Sequence, residues 1–151
     1  MERIQKLLGE ILVEKGFATR KQVEEALKVQ EATKEFLGAI LLRRGYVKEE
    51  DLLKALSEKY GMRLVSLKDR YIDWAFVKKF SASLILDYKC FPFEKKDFAV
   101  TFAITNPLDI WITKKAEDES AGLRVEFVLV SSEDMEGAIQ RYKQFTQKSV
   151  S

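Results

Sequence analysis

Apolar residues in the first sixty positions recur with a helical period, and the pattern occurs twice. Ile4, Leu7, Leu8, Ile11 and Leu12 are spaced for one face of a helix. Gly16 follows where a helix takes a left-handed terminal residue. Thr19 and Gln22 have the spacing of a capping box. Val23, Ala26, Leu27 and Gln30 then recur at i, i+3, i+4 and i+7. The second pass reads Leu37, Ile40 and Leu41, then Gly45, then Leu52, Ala55 and Leu56, with Gly61 as its end. Leu8 to Gln30 set over Leu37 to Lys59, an offset of 29, gives identities at Leu8/Leu37, Gly9/Gly38, Ile11/Ile40, Leu12/Leu41, Gly16/Gly45, Ala26/Ala55 and Leu27/Leu56. The pattern predicts two tandem helix-turn-helix units.

Gly9 and Gly38 fall inside the predicted helices, where glycine costs about 1 kcal/mol against alanine. Two such glycines at equivalent positions mark a close backbone approach. Tight helix–helix packing accounts for them, and so does a ligand lying on bare backbone.

Beyond Gly61 the periodicity shortens. Arg63 to Leu67 alternates weakly and reads as a short strand; Trp74, Val77 and Phe80 suit a short helix starting at Asp73. Tyr88–Phe93 and Phe98–Ile104 are aromatic and β-branched runs around Glu94-Lys95-Lys96-Asp97, the pattern of a hairpin with a polar turn. In the second run Phe98, Val100, Phe102 and Ile104 share a face; Ala99, Thr101 and Ala103 share the other, which must take a close neighbour. Asn106-Pro107 stops the strand, with Pro107 suited to a first helical position before Leu108, Trp111 and Ile112. Gly122 breaks that helix, and Val125–Val130 reads as a buried strand. Ser131 or Ser132 caps a last helix with Met135, Ala138, Ile139 and Tyr142 on one face; the polar tail from Gln147 to Ser151 is expected to be loose. The expected fold class is α+β. A helical pseudo-repeat (residues 1–61) precedes a small α+β unit (residues 62–151) with a three- to four-stranded sheet.

Composition narrows the chemistry. The 151 residues include 26 Lys+Arg, 24 Asp+Glu and no histidine. That balance does not announce a nucleic-acid partner. The missing imidazole removes Ser-His-Asp and Cys-His systems and most zinc sites. Cys90 stands alone and is expected to be a buried apolar residue. Trp74 and Trp111 are expected in the core of the α+β unit, Arg43-Arg44 at the surface, and the acidic runs Glu24/Glu25, Glu49/Glu50/Asp51 and Glu117/Asp118/Glu119 on solvated faces. No phosphate-binding glycine loop or nucleophile elbow occurs. No apolar run reaches the length of about 18 residues needed to span a bilayer. The N-terminus lacks a signal-peptide core. The expectation is a cytoplasmic protein without catalytic residues, metal or cofactor.

The repeat resembles the N-terminal, MshEN-like domain of type II secretion and type IV pilus assembly ATPases (the GspE and PilB type). The family pattern is Arg-Leu-Gly, a Leu-[Val/Ile] pair, a glycine, and a leucine stripe ending near glutamine. Here it reads Leu7-Leu8-Gly9 through Gly16, then Val23, Leu27 and Gln30; the second copy reads Phe36-Leu37-Gly38 through Gly45, then Leu52 and Leu56. Phe91-Pro92, Asn106-Pro107-Leu108-Asp109 and Ala138-Ile139-Gln140-Arg141-Tyr142 match later landmarks, so the resemblance covers roughly residues 3 to 145. It implies a bacterial docking module that binds the cytoplasmic part of an inner-membrane platform protein. The module would sit at the inner face of that membrane through this partner, with a secretion ATPase domain in cis or in trans. It also implies a second possibility, a cyclic di-GMP receptor. The residues matching that motif are Leu8, Gly9, Val23, Leu27, Gln30, Leu37, Gly38, Leu52 and Leu56. Leu7 and Phe36 stand where the pattern has arginine, and Lys59 stands where the second copy would close on glutamine. Those replacements remove the charge-assisted donors that a phosphate or guanine edge needs.

Overall fold

The computed structural model describes residues 7–150, so Ile4 of the first apolar stripe lies outside the described residues. The chain divides into two compact units, Met1–Met62 and Arg63–Ser151.

Among the described residues the first unit holds four helices, α1 (Leu8–Glu14), α2 (Arg20–Thr33), α3 (Leu37–Arg43) and α4 (Glu49–Tyr60). Each helix of the second pair starts 29 residues after its counterpart, so the sequence repeat is a structural one. Both short helices end in the same way. Phe17 N–H donates to the Leu12 carbonyl and Gly16 N–H to that of Val13; Tyr46 and Gly45 do the same to Leu41 and Leu42. The glycines make this turn possible with φ of +75° and +71°. Thr19 and Gln22 cap α2 reciprocally, at 2.9 and 3.1 Å, a contact worth about 1 kcal/mol. The second copy has no such box; Lys48 precedes α4 without a side-chain cap, and Glu49, Glu50 and Asp51 in the first turn suit the helix dipole instead. Leu12, Ala26, Ile40, Leu41 and Ala55 are fully buried in this unit. Leu7 does not join the apolar stripe: α1 begins one residue later and Leu7 is 65% exposed.

The second unit is built on a three-stranded sheet in the order β1 (Phe91–Lys96), β2 (Ala99–Ile104), β3 (Arg124–Leu129). The first pair is antiparallel and the second parallel, so β2 returns to β3 through α7 (Ile110–Asp118). α8 (Ser132–Val150) lays Met135, Ala138, Ile139 and Tyr142 into a core with Phe91, Ala103, Val128 and Val130. Ser131 caps it, its hydroxyl accepting from Asp134 N–H at 3.1 Å. The short helices α5 (Trp74–Val77) and α6 (Ala82–Leu86) complete the unit. Asp73 caps α5 as expected.

The observed architecture is the expected α+β class, with several local corrections. The hairpin turn is Asp97-Phe98, with Asp97 at φ 57°, so Glu94–Lys96 belong to β1. Phe98 therefore leaves the strand face and is 83% exposed. Arg63–Leu67 makes only a single bridge, Leu64 to Leu129, because one pair of edge bonds is all it gains there. Asp109, not Pro107, sets the start of α7, its carboxylate accepting from Trp111 N–H. Trp111 then projects outward from the first turn and is exposed rather than in the core. Trp74 is half-buried and stacks on Phe145 at 4.8 Å between centroids. The tail is not loose through its first residues: α8 continues across Gln147 and Lys148. Gly122 follows α7 without ending it, since the helix stops at Asp118 and Ala121-Gly122 form a left-handed turn. α6 had no sequence signal; its cap, Ser81, is held by Glu119 just beyond α7.

Candidate functional site

The tandem motif is distributed over both helix pairs of the first unit. Seven of its residues are buried: Leu8, Gly9, Val23, Leu37, Gly38, Leu52 and Leu56. Leu27 is 45% exposed and Gln30 is half-buried. The two glycines have direct packing partners. A Cβ on Gly9 would stand 2.7 Å from Val23 Cγ1, and one on Gly38 would stand 3.0 Å from Leu52 Cδ2. Each first helix thus presses its backbone against the apolar stripe of the helix that follows it.

The two copies meet through the starts of their short helices. Leu37 Cδ2 approaches within 4.0 Å of the Cβ position on Gly9. Gln30 Nε2 donates to the Glu35 carbonyl at 3.1 Å, tying the face of α2 to the residue before Phe36. Leu27 lies one turn before Gln30 on that face. Leu27 and Phe36, both more than 40% exposed, therefore border one surface. Tyr46 OH donates to Glu25 Oε2 at 2.5 Å and Lys15 Nζ lies 3.0 Å from Glu58 Oε2, two further ties across the repeat.

One ion pair lies at this surface. Arg43 grips both carboxylate oxygens of Glu35. The hydrogen bond from Arg43, with one from Thr33, holds the Glu35 carboxyl below its ordinary value, and the same pairing raises the Arg43 guanidinium. Arg43 is therefore a surface residue, as expected, but a paired one. The positions where the motif pattern carries arginine are occupied by the exposed apolar side chains of Leu7 and Phe36.

Chemistry elsewhere is sparse. Cys90 is buried, and burial pushes its thiol far up, with a smaller contribution from Glu119. It is a packing residue, not a nucleophile. Glu119 departs from the expected solvated face. Its carboxylate accepts from Ser81 N–H at 2.7 Å and Ser81 OH at 2.6 Å, and Lys115 Nζ lies at 3.2 Å. Burial pushes this carboxyl up, but the two Ser81 donors and Lys115 together bring it below its ordinary value. The sequence carries no signal for this clamp, because the partners are 38 residues apart. Among the described residues no group of three His, Cys, Asp or Glu side chains is placed to hold a metal, and no helix is long and apolar enough to cross a membrane.

Residues 60–148 match the family model described as the MshEN domain. A type IV pilus assembly ATPase PilB of Thermus thermophilus is 47% identical over 58 residues, 38% of this chain and 6% of its own length. The type IV pilus assembly ATPase PilB of Myxococcus xanthus is 24% identical over 135 residues, 89% of this chain and 24% of its own. The chain thus spans a quarter or less of these curated relatives. A structure of MshE with cdg superposes with a TM-score of 0.81 at 23% identity, covering 91% of this chain and 99% of that one. The N-terminal domain of XpsE gives 0.71 at 20% identity, covering 93% and 98%. These two likenesses establish the shared fold.

Proposed function

Because the chain belongs to the MshEN domain family, we propose that it is the docking module of a secretion or pilus ATPase, non-catalytic itself, which binds the cytoplasmic part of an inner-membrane platform protein. The observation that carries this reading is the surface bordered by Leu27 and Phe36. Exposed apolar side chains on a rigid helical scaffold suit protein contact. The buried Leu-Gly motifs supply the scaffold, and the Glu35–Arg43 pair beside them engages one of the nearby arginines internally. In this reading the module places an ATPase domain, in cis or in trans, at the inner face of the bacterial inner membrane. Co-purification with the platform protein's cytoplasmic domain tests it. Binding that is lost with Leu27→Asp and Phe36→Asp supports the reading; absence of binding by the unaltered chain removes it.

The second reading, a cyclic di-GMP receptor, is favoured by the likeness to the MshE chain solved with cdg. Leu8, Gly9, Val23, Leu27 and Gln30, with Leu37, Gly38, Leu52 and Leu56, would then form the two half-sites. Against it stand Leu7 and Phe36, which supply no donor to a phosphate or a guanine edge. Calorimetric titration with cyclic di-GMP separates the two: a one-to-one isotherm supports the receptor, and no heat at high ligand concentration leaves the repeat as scaffold.

A further inference from the structure

We propose that β3 is a self-pairing edge through which two copies of this chain join their sheets into one six-stranded sheet. This inference goes beyond the docking reading and uses none of the tandem-motif residues.

The backbone directions set the edge. Arg124 N–H donates to the Phe98 carbonyl and Val130 N–H to that of Ile104, both toward β2. Strand alternation sends Glu126 and Val128 the same way, and turns Val125, Phe127 and Leu129 outward. Leu129 confirms this parity: its N–H donates to the Arg63 carbonyl, and its own carbonyl accepts from Val65 N–H. No described residue pairs with the outward N–H and C=O groups of Val125 and Phe127. A strand edge with open donors and acceptors is a template for another strand.

Charge selects the occupant and the register. Arg124 and Glu126 lie on the same face of β3, 2.9 Å apart at their charged ends and both at least half exposed. In an antiparallel pair centred on Val125, the two valines exchange both backbone bonds. Arg124 of each copy then stands opposite Glu126 of the other, at the closer, non-hydrogen-bonded positions. Phe127 N–H of each copy reaches the Leu123 carbonyl of the other; Leu123 N–H is already committed to the Ser120 carbonyl. The alternative centre, Glu126, would place two carboxylates face to face and is disfavoured. The pairing cannot run past Phe127, because the 63–65 segment occupies Leu129. It is therefore isologous and closed, a dimer and not a fibre.

Sedimentation equilibrium of the full chain tests this up to about 1 mM, since so small an interface is a weak one. The expected result is a monomer–dimer equilibrium. Val125→Pro removes an outward N–H and nothing from the β2 ladder, so it should leave a monomer with an unchanged far-ultraviolet dichroism spectrum. Glu126→Arg and Arg124→Glu should each be monomeric alone and should pair when mixed, since each then faces the opposite charges. If Val125→Pro fails to fold, the charge pair decides by itself. A chain that stays monomeric over the whole range, a dimer that persists in folded Val125→Pro, or a mixture no more associated than its components overturns the proposal.

Discussion

Gly9 and Val23 are packed so closely that a single added methyl would stand 2.7 Å from Val23 Cγ1. The equivalent pair in the second copy, Gly38 and Leu52, leaves 3.0 Å. The two neighbours also differ in their freedom to yield. Val23 is β-branched and holds a fixed rotamer in a helix, whereas Leu52 meets Gly38 with the far end of a flexible side chain.

Gly9→Ala should therefore destabilise the chain by about 1–3 kcal/mol through overpacking, against a gain of about 1 kcal/mol in helix propensity. Gly38→Ala should cost less. Urea unfolding measures both. Val23→Ala combined with Gly9→Ala should recover part of the loss, because it removes the clashing methyl. Additive losses in the double variant would mean that the glycine serves something other than this contact.

Gly137 is the opposite case. It sits within α8, yet a Cβ there would meet nothing within 4 Å. Gly137→Ala should raise stability by about 0.5–1 kcal/mol by propensity alone, read as a higher thermal midpoint.

The Glu119 clamp predicts an acid sensitivity. The carboxyl lies below the ordinary glutamate value of 4.5 in the folded chain. Its contribution to stability is therefore present above that value and is lost as pH falls through the lower, folded one. Glu119→Ala removes the acceptor of the two solvent-exposed Ser81 donors and should cost about 0.5–1.5 kcal/mol at neutral pH. The difference between the two chains should shrink below about pH 4, as denaturation at several pH values would show. A constant difference down to about pH 2 would contradict the carboxylate's role.

The first unit was largely legible in the sequence because its information is local. Gly16, Gly45, Thr19 and Gln22 each act within a few residues, and all four take the predicted roles. The helix periodicity worked for the same reason. The misreadings cluster where distant partners decide. Ser81 is held in place by Glu119, and the Leu64 segment gains only one bridge from Leu129. Phe98 and Trp111 look like core residues by type, but the turn at Asp97 and the cap at Asp109 point them to solvent. In the candidate site the buried scaffold followed from periodicity. The surface at Leu27 and Phe36 did not, because it arises from the approach of α2 to the start of α3 through Gln30 and Glu35.

The most direct test of the docking account is an amide spectrum of the isotope-labelled chain titrated with the cytoplasmic domain of the platform protein. The account predicts that perturbed amides centre on the face of α2 around Leu27 and Gln30 and on the start of α3 at Phe36, with the buried Gly9 and Gly38 little affected. Perturbations confined to residues 63–148, or none at saturating partner, would contradict it.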